Sequence, residues 1–170
     1  MQIIDNFLEP ELYENISNFL KSHNTNWWFQ KDDSYASLTK NKNGFFEFVF
    51  YNYRRPLSPK FNDLIEPVLT KLEVDACIQV RANLVVRDKD TIECAWHTDG
   101  QNPAATTGIL YLTNCNAKTV LSTKEGEVFV DSKENRMLLF PQTTRHKVIY
   151  QTDVHKRYIV NFNYFGKLCK

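Results

Sequence analysis

The stretch Trp96-His97-Thr98-Asp99-Gly100 places a histidine and an aspartate two residues apart. If this segment is extended, the side chains of His97 and Asp99 point to the same face, roughly 6–7 Å apart along the chain. His146, well downstream, adds a second imidazole. Two imidazoles and one carboxylate suit a divalent transition metal, and three protein ligands leave positions open for other molecules. We therefore predict that His97, Asp99 and His146 bind one metal ion.

Arg157 extends this pattern, because it follows His146 with ten residues between them and opens the strand-like run 157–162. The arrangement resembles that of the 2-oxoglutarate- and Fe(II)-dependent oxygenases, in which His-x-Asp is followed by a long gap, a histidine, ten residues and an arginine. The resemblance covers about half of the chain, roughly Ile78 to Tyr164. It implies that the three ligands bind Fe(II), with 2-oxoglutarate as cosubstrate, dioxygen as oxidant and ascorbate as a candidate reductant.

The resemblance also implies a role for Arg157, whose guanidinium would bind the distal carboxylate of 2-oxoglutarate through its fork of donors. Tyr111 and Asn83 are candidates for further contacts to the cosubstrate, with core packing or a strand-end hydrogen bond as the alternative for each. Family members often carry a serine two residues after the arginine, and Ile159 stands there instead. An outward Arg157 paired with Asp153 on the surface is the alternative to the cosubstrate role.

By the same resemblance, the reaction is the oxidative decarboxylation of 2-oxoglutarate to succinate and carbon dioxide, coupled to hydroxylation of a substrate C–H bond. The pattern is similar to that of prolyl-hydroxylase-like members, including the small microbial and viral ones, so peptidyl proline is the leading substrate class. A free amino acid or another small metabolite is the alternative substrate. The competing function is a non-catalytic β-barrel module that holds a metal structurally.

Nucleic acid is not expected as a partner. The nucleic-acid demethylase branch of the superfamily carries Arg-x-Asn-x-x-x-Arg in its final strand, and the run from Arg157 to Asn163 departs from this pattern. The net charge of the 170-residue chain is +1, which predicts no basic surface for a phosphate backbone. No Gly-x-Gly-x-x-Gly motif follows a strand, so neither nicotinamide nor flavin is expected.

Length and composition predict a single domain, residues 1–170, with a substantial core, since 42% of the residues are hydrophobic. None of the four cysteines forms a Cys-x-x-Cys pair: they are Cys77, Cys94, Cys115 and Cys169. With no signal peptide, we expect reduced thiols in a cytoplasmic protein. No apolar run reaches membrane-spanning length. Zinc ligation by Cys94 with His97 is disfavoured, because in an extended segment the two side chains point to opposite faces.

Residues 1–72 are predicted to form a helical prelude. Pro10 opens a first helix in which apolar residues recur at helical spacing. A second apolar stripe contains Pro67, which should kink or split that helix. Between the two stripes we expect a polar loop over residues 30–44 and an aromatic strand over residues 45–53.

After Leu72 the sequence changes to short strand-like runs separated by turn signals. The predicted strands are 76–87, 93–97, 107–112, 119–121, 127–130, 136–140, 146–149 and 157–164. Lys124-Glu125-Gly126 predicts a hairpin turn. Helices followed by about eight strands predict a mainly β fold, a barrel or two-sheet jelly roll over residues 73–166 with helical buttresses. The resemblance implies the double-stranded β-helix of the oxygenases.

Residue alternation divides two of these strands into an apolar and a polar face. In the last strand one face carries Tyr158, Val160, Phe162 and Tyr164, and the other carries Arg157, Ile159, Asn161 and Asn163. In the first long strand the faces are Val80, Ala82, Leu84 and Val86 against Gln79, Arg81, Asn83 and Arg87. Such a sheet could expose its polar face to water. Because Arg157 shares its face with two asparagines, we predict instead a polar lumen.

Overall fold

The computed structural model of the protein describes residues 1–30, 44–87 and 93–166, and antiparallel strands dominate this part of the chain. The strands are β1 (Gln2–Ile4), β2 (Trp28–Gln30), β3 (Phe45–Asn52), β4 (Arg55–Pro56), β5 (Val74–Val86), β6 (Ala105–Tyr111), β7 (Lys118–Thr123), β8 (Gly126–Asp131), β9 (Arg136–Pro141), β10 (His146–Ile149) and β11 (Lys156–Gly166). The helices are α1 (Pro10–Lys21) and α2 (Glu66–Lys71), and a π-helical turn (Phe61–Ile65) precedes α2. The predicted mainly β fold with N-terminal helices is confirmed.

Two antiparallel sheets form the jelly roll. The larger sheet has the strand order β1-β9-β6-β11-β5-β3-β2, with β4 paired to β3, and the smaller has the order β10-β7-β8. One apolar cluster joins the sheets, since Ile109 and Phe140 of the larger sheet pack with Leu121 and Val130 of the smaller. The face of β5, β6 and β11 that points toward the smaller sheet therefore lines the interior.

The helices cover the opposite face of the larger sheet. Ile16 and Leu20 of α1 and Val68 of α2 lie in one core cluster with the apolar residues of β5 and β11. Pro10 is in the first turn of α1, as predicted. Pro67 lacks an N–H group and cannot donate a helical hydrogen bond, and the second helix is indeed divided into a π-helical turn and α2. No helix in the described segments is long and apolar enough to cross a membrane.

The predicted alternation of β5 and β11 is confirmed. Val80, Ala82 and Leu84 lie in the core beneath the helices, together with Tyr158, Val160, Phe162 and Tyr164 of β11. The polar face of each strand lines an interior cavity through Gln79, Arg81, Asn83, Arg157, Ile159 and Asn161. Val86, at the end of β5, is an exception because it is 53% exposed. The polar face is therefore turned to a lumen.

The predicted strand over residues 93–97 is wrong. Glu93 and His97 form only isolated bridges, to Ile149 and His146 of β10. Between them, the carbonyl oxygen of Ala95 contacts the imidazole Nδ1 of His97 at 3.0 Å. The Ala95 carbonyl therefore bonds to a side chain rather than to the backbone of β10, which interrupts the ladder of backbone hydrogen bonds between this segment and β10.

Three short strands in the N-terminal segment were not predicted from the sequence. β1 pairs with β9, and both β2 and β4 pair with β3; β1 and β2 have three residues each and β4 has two. A segment of that length carries no periodic signal. Within the predicted 30–44 loop, Gln30 belongs to β2, and residues 31–43 lie outside the described residues. The hairpin turn was correct, since Gly126 faces Thr123 across the β7–β8 turn with φ +123°.

The apolar core makes a testable contribution to stability. Leu110 of β6 is completely buried in the larger core cluster, to which α1, α2 and β11 also contribute. Leu110→Ala should lower the free energy of unfolding by about 2–5 kcal/mol, since it removes buried methyl groups and leaves a cavity. Leu57→Ala, at a residue 47% exposed, is the matched control and should change it by less than about 1 kcal/mol. Urea denaturation measures both, and equal losses would contradict this assignment of the core.

Candidate active site

His97, Asp99 and His146 converge at one end of the lumen, with one potential ligand atom from each lying within 4.8 Å of the others. Paired backbone hydrogen bonds join the two histidines: the His97 amide donates to the His146 carbonyl at 2.9 Å, and the reverse bond is 2.8 Å. Their ring centroids are 4.3 Å apart. The predicted three-residue set is therefore brought together, although His97 lies in an isolated bridge rather than a strand.

Backbone carbonyls fix the orientation of both imidazoles. Nδ1 of His97 lies 3.0 Å from the carbonyl of Ala95, and Nδ1 of His146 lies 3.1 Å from the carbonyl of Thr144. A carbonyl oxygen can only accept, so each of these hydrogen bonds requires a proton on Nδ1, and in the neutral imidazole this leaves the lone pair on Nε2. This is how ligating histidines are commonly held. The edge of the Phe140 ring packs against His146, with the centroids 5.0 Å apart.

Asp99 is held by residues that the sequence analysis did not identify. The Thr107 hydroxyl donates to Asp99 Oδ2 at 2.8 Å, while Asp99 Oδ1 lies 3.7 Å from His146 Nε2. A Cβ atom at Gly100 would lie 2.4 Å from Gln142 Oε1, so any other residue at this position would require the Gln142 side chain to move. Gln142 in turn donates to Asn163 Oδ1 at 3.2 Å. Thr107 lies in an apolar run and Gln142 lies in a turn. No motif or spacing in the sequence therefore links either residue to Asp99.

Burial governs the electrostatics of His146. Loss of solvent lowers the pKa of His146 below its ordinary value; the nearby carboxylate of Asp99 opposes this effect, and His97 reinforces it. The lowered pKa favours the neutral imidazole, which is the form that binds a metal.

The cavity beside these residues has a volume of about 580 Å³ and lies between the two sheets. Arg157 lines it and is 1% exposed. Its Nε donates to the Ser132 hydroxyl at 3.3 Å, and its carbon Cζ lies 5.7 Å from the centre of the Tyr111 ring. Nη2 of Arg157 is buried and has no hydrogen-bond partner within the described ranges. The alternative of an outward Arg157 paired with Asp153 is therefore wrong, and Asp153 instead accepts from the Asn116 amide at 3.0 Å.

Asn83 and Tyr111, the other two predicted contacts, occupy different positions. Asn83 lines the cavity, and its Oδ1 is buried with no partner among the described residues; the same is true of Asn161. Tyr111 packs beside Arg157, and its hydroxyl donates to Thr119 Oγ1 at 2.7 Å. Burial raises the pKa of Tyr111 to about 12, so the phenol stays protonated. Thr119, rather than Tyr111, lines the cavity.

Cys94 serves a structural purpose. Its buried sulfur accepts a hydrogen bond from the Val148 amide at 2.9 Å, which ties the segment before His97 to β10. The convergent group of potential ligands is His97, Asp99 and His146.

The side chains present fit a metal ion together with a dicarboxylate. Two imidazoles and one carboxylate that converge in this way match a divalent transition metal. Arg157 is a buried cation with an unused donor, which suits a carboxylate in the same cavity. A buried charge without a partner costs free energy. A ligand of opposite charge in the cavity would offset the cost of burying the Arg157 guanidinium.

Neither a protein-family model nor a curated protein matches the sequence. Solved structures do match. A 2OG-Fe(II) oxygenase family protein from Burkholderia pseudomallei has a TM-score of 0.72 and 8% identity, covering 96% of this chain and 84% of that chain. A Trichoplax adhaerens prolyl hydroxylase in complex with a hypoxia inducible factor oxygen degradation domain peptide has a TM-score of 0.66 and 16% identity, covering 97% and 83%. The chain has the fold of the 2-oxoglutarate- and Fe(II)-dependent oxygenases.

A third protein with this oxygenase fold is the epimerase SnoN in complex with Fe3+, alpha ketoglutarate and nogalamycin RO. It has a TM-score of 0.68 and 10% identity, with coverage of 96% of this chain and 78% of that chain. The implied double-stranded β-helix is therefore confirmed. The identities are too low to carry substrates from these proteins to this one.

Proposed function

We propose that the protein is a 2-oxoglutarate- and Fe(II)-dependent dioxygenase that hydroxylates a C–H bond of a small-molecule or peptide substrate. The observation that carries this proposal is that His97, Asp99, His146 and the buried Arg157 line one cavity. In the balanced reaction, 2-oxoglutarate, dioxygen and R–H give succinate, carbon dioxide and R–OH. One oxygen atom enters succinate and the other enters the new hydroxyl group.

Each residue has a defined task in this proposal. His97, Asp99 and His146 would hold the metal, which when bound supplies the activation of dioxygen and of the 2-oxo acid. Arg157 binds the distal carboxylate and fixes the cosubstrate in one orientation, while Ser132 holds the guanidinium through Nε. The cavity wall beside these polar groups also includes the apolar side chains of Val85, Ile109 and Ile159.

The remaining cofactors and the substrate follow from the same proposal. Dioxygen is the oxidant, and ascorbate keeps the metal reduced. Peptidyl proline stays a prediction from the resemblance; the prolyl hydroxylase in complex with a peptide has the same fold at 16% identity. The cytoplasmic location and the single domain of residues 1–170 also stay predictions.

Succinate release tests the proposal directly. Purified protein should convert 2-oxoglutarate to succinate slowly without a primary substrate when Fe(II), ascorbate and dioxygen are supplied, and a chelator should abolish this conversion. Protein that binds metal stoichiometrically through these residues yet never consumes 2-oxoglutarate would instead be a non-catalytic metal-holding module.

Thr107 provides a prediction about the support of the metal centre. Thr107→Val keeps the shape of the side chain but removes the hydroxyl that donates to Asp99. We expect metal affinity to fall about ten- to hundredfold, the usual effect of losing an outer hydrogen bond to a ligand. Competition titration with Mn(II) measures it. Thr106→Val is the control, because Thr106 is also buried on β6 but alternation turns its side chain to the opposite face. Equal affinities in the two variants would contradict the assigned role.

A further inference from the structure

The wall of the cavity carries a pair of opposite charges that the proposed chemistry does not use. Glu47 of β3 and Arg81 of β5 both line the cavity, and Glu47 Oε2 lies 3.8 Å from Arg81 Nη1. Their side chains are 16% and 29% exposed, so both are largely withdrawn from solvent. Charged side chains are rarely placed on an interior wall without a partner or a ligand.

The ion pair between Glu47 and Arg81 uses only part of their hydrogen-bonding capacity. A separation of 3.8 Å is too long for a hydrogen bond. Glu47 Oε1 accepts from Gln30 Nε2 at 2.5 Å, which fixes the carboxylate in place. Arg81 has five N–H donors, and its Nε is buried with no hydrogen-bond partner in the part of the chain that the structure describes. The guanidinium therefore has donors left for an acceptor in the cavity.

This charge pair lies apart from the predicted cosubstrate anchor. Arg157 is opposite Val85 in the β11–β5 register, whereas Arg81 is opposite Asn161. Four residues along β5 separate the two levels, which corresponds to roughly 13 Å. On β11, Asn161 is two residues from Asn163. Asn163 is paired with Thr107 of β6, whose hydroxyl donates to Asp99. Arg81 is thus nearer the metal end of the cavity than Arg157 is.

Resting on the dioxygenase function above, we propose that Glu47 and Arg81 bind the primary substrate, and that this substrate is a free α-amino acid. Its carboxylate pairs with the guanidinium of Arg81, and its ammonium group pairs with the carboxylate of Glu47. The ammonium and carboxylate groups of an α-amino acid are bonded to the same carbon atom. Their separation therefore matches two opposite charges placed side by side on the cavity wall. Arginine can bind such a carboxylate through two parallel hydrogen bonds.

The same pair discriminates against peptides. A residue within a peptide has neither a free ammonium group nor a free carboxylate, so it would offer Glu47 and Arg81 no ionic partner beyond the 3.8 Å contact that they make with each other. Sites built to pair buried polar groups reject ligands that lack the matching groups. The charged wall therefore favours the free amino acid over peptidyl proline, the leading substrate class predicted from the sequence.

Binding measured without dioxygen tests this inference independently of turnover. The common L-amino acids are titrated calorimetrically into protein loaded with Fe(II) and 2-oxoglutarate under anaerobic conditions. We expect at least one to bind, and its N-acetyl amide, which lacks both charges, to bind at least a hundredfold more weakly. Arg81→Gln and Glu47→Gln should each raise the dissociation constant roughly ten- to hundredfold. Lys60→Gln, in a surface ion pair with Asp63, is the control and should not change it.

Further measurements distinguish a failure of the amino-acid inference from a failure of the dioxygenase function. Arg81→Lys keeps the charge but not the fork of donors and should recover part of the affinity, provided circular dichroism shows that the variants fold. A protein that makes succinate but binds a blocked proline peptide and no free amino acid would overturn the inference and leave the dioxygenase function standing. Amino-acid binding that depends on Glu47 and Arg81, in a protein that never makes succinate, would uphold the recognition and overturn the dioxygenase function.

Discussion

Replacing Arg157 by glutamine should weaken 2-oxoglutarate binding roughly thirty-fold to several-thousand-fold while leaving metal binding nearly intact. Arg157 is 1% exposed, and its Nη2 has no hydrogen-bond partner within the described segments. Removing one member of a buried, hydrogen-bonded charge pair typically costs about 2–5 kcal/mol, which gives this range of affinity. Calorimetric titration of 2-oxoglutarate into metal-loaded protein, without dioxygen, measures the change.

Two other arginine variants sharpen this test. Arg157→Lys should recover only part of the loss, because a single point charge cannot reproduce the two parallel hydrogen bonds of a guanidinium. Arg87→Gln, at an exposed arginine after β5 whose guanidinium donates to the Thr152 carbonyl, removes the same charge outside the cavity. It should leave the affinity unchanged. If Arg157→Gln also left it unchanged, Arg157 would not be the cosubstrate anchor.

Asp99→Ala and His146→Ala should each abolish stoichiometric binding of Fe(II) and of the ions expected to replace it, Mn(II), Co(II) and Ni(II). The three ligand atoms lie within 4.8 Å of one another, and no fourth side chain joins this group among the described residues. Loss of one ligand therefore leaves two, too few for a stable site of this type. Dialysis followed by elemental analysis gives the number of ions bound per chain.

Matched substitutions away from the site control for changes of charge and residue type. His155→Ala removes an exposed histidine, and Asp63→Ala removes an exposed carboxylate that pairs with Lys60. Both should retain one ion per chain. A full equivalent of metal in Asp99→Ala or in His146→Ala would remove that residue from the ligand set.

Patterns local in sequence predicted much of the fold. Alternation along β11 correctly assigned Val160 to the core and Asn161 to the lumen, because side chains in a strand have a strict period of two. The spacing of His97 and Asp99 identified the two residues that converge with His146. The helix that begins at Pro10 was also predicted, since its N-terminal and apolar signals agree.

Contacts between distant parts of the chain were not predictable in this way. The hydroxyl of Ser132 meets Arg157 across 25 residues, and the carboxylate of Glu47 meets Arg81 only because β3 pairs with β5. Neither pair has a spacing that periodicity can detect, so sheet register is needed to bring them together. The segment containing His97 was assigned as a strand because it is extended, but the Ala95 carbonyl bonds to a side chain instead.

A crystal structure of the protein soaked anaerobically with Mn(II) and 2-oxoglutarate is the most direct test of the central claim. Anomalous scattering should place one ion against the side chains of His97, Asp99 and His146. The 2-oxoglutarate should contact that ion and place its distal carboxylate on the Arg157 guanidinium. An ion bound elsewhere, or a cosubstrate that does not reach Arg157, would contradict the account.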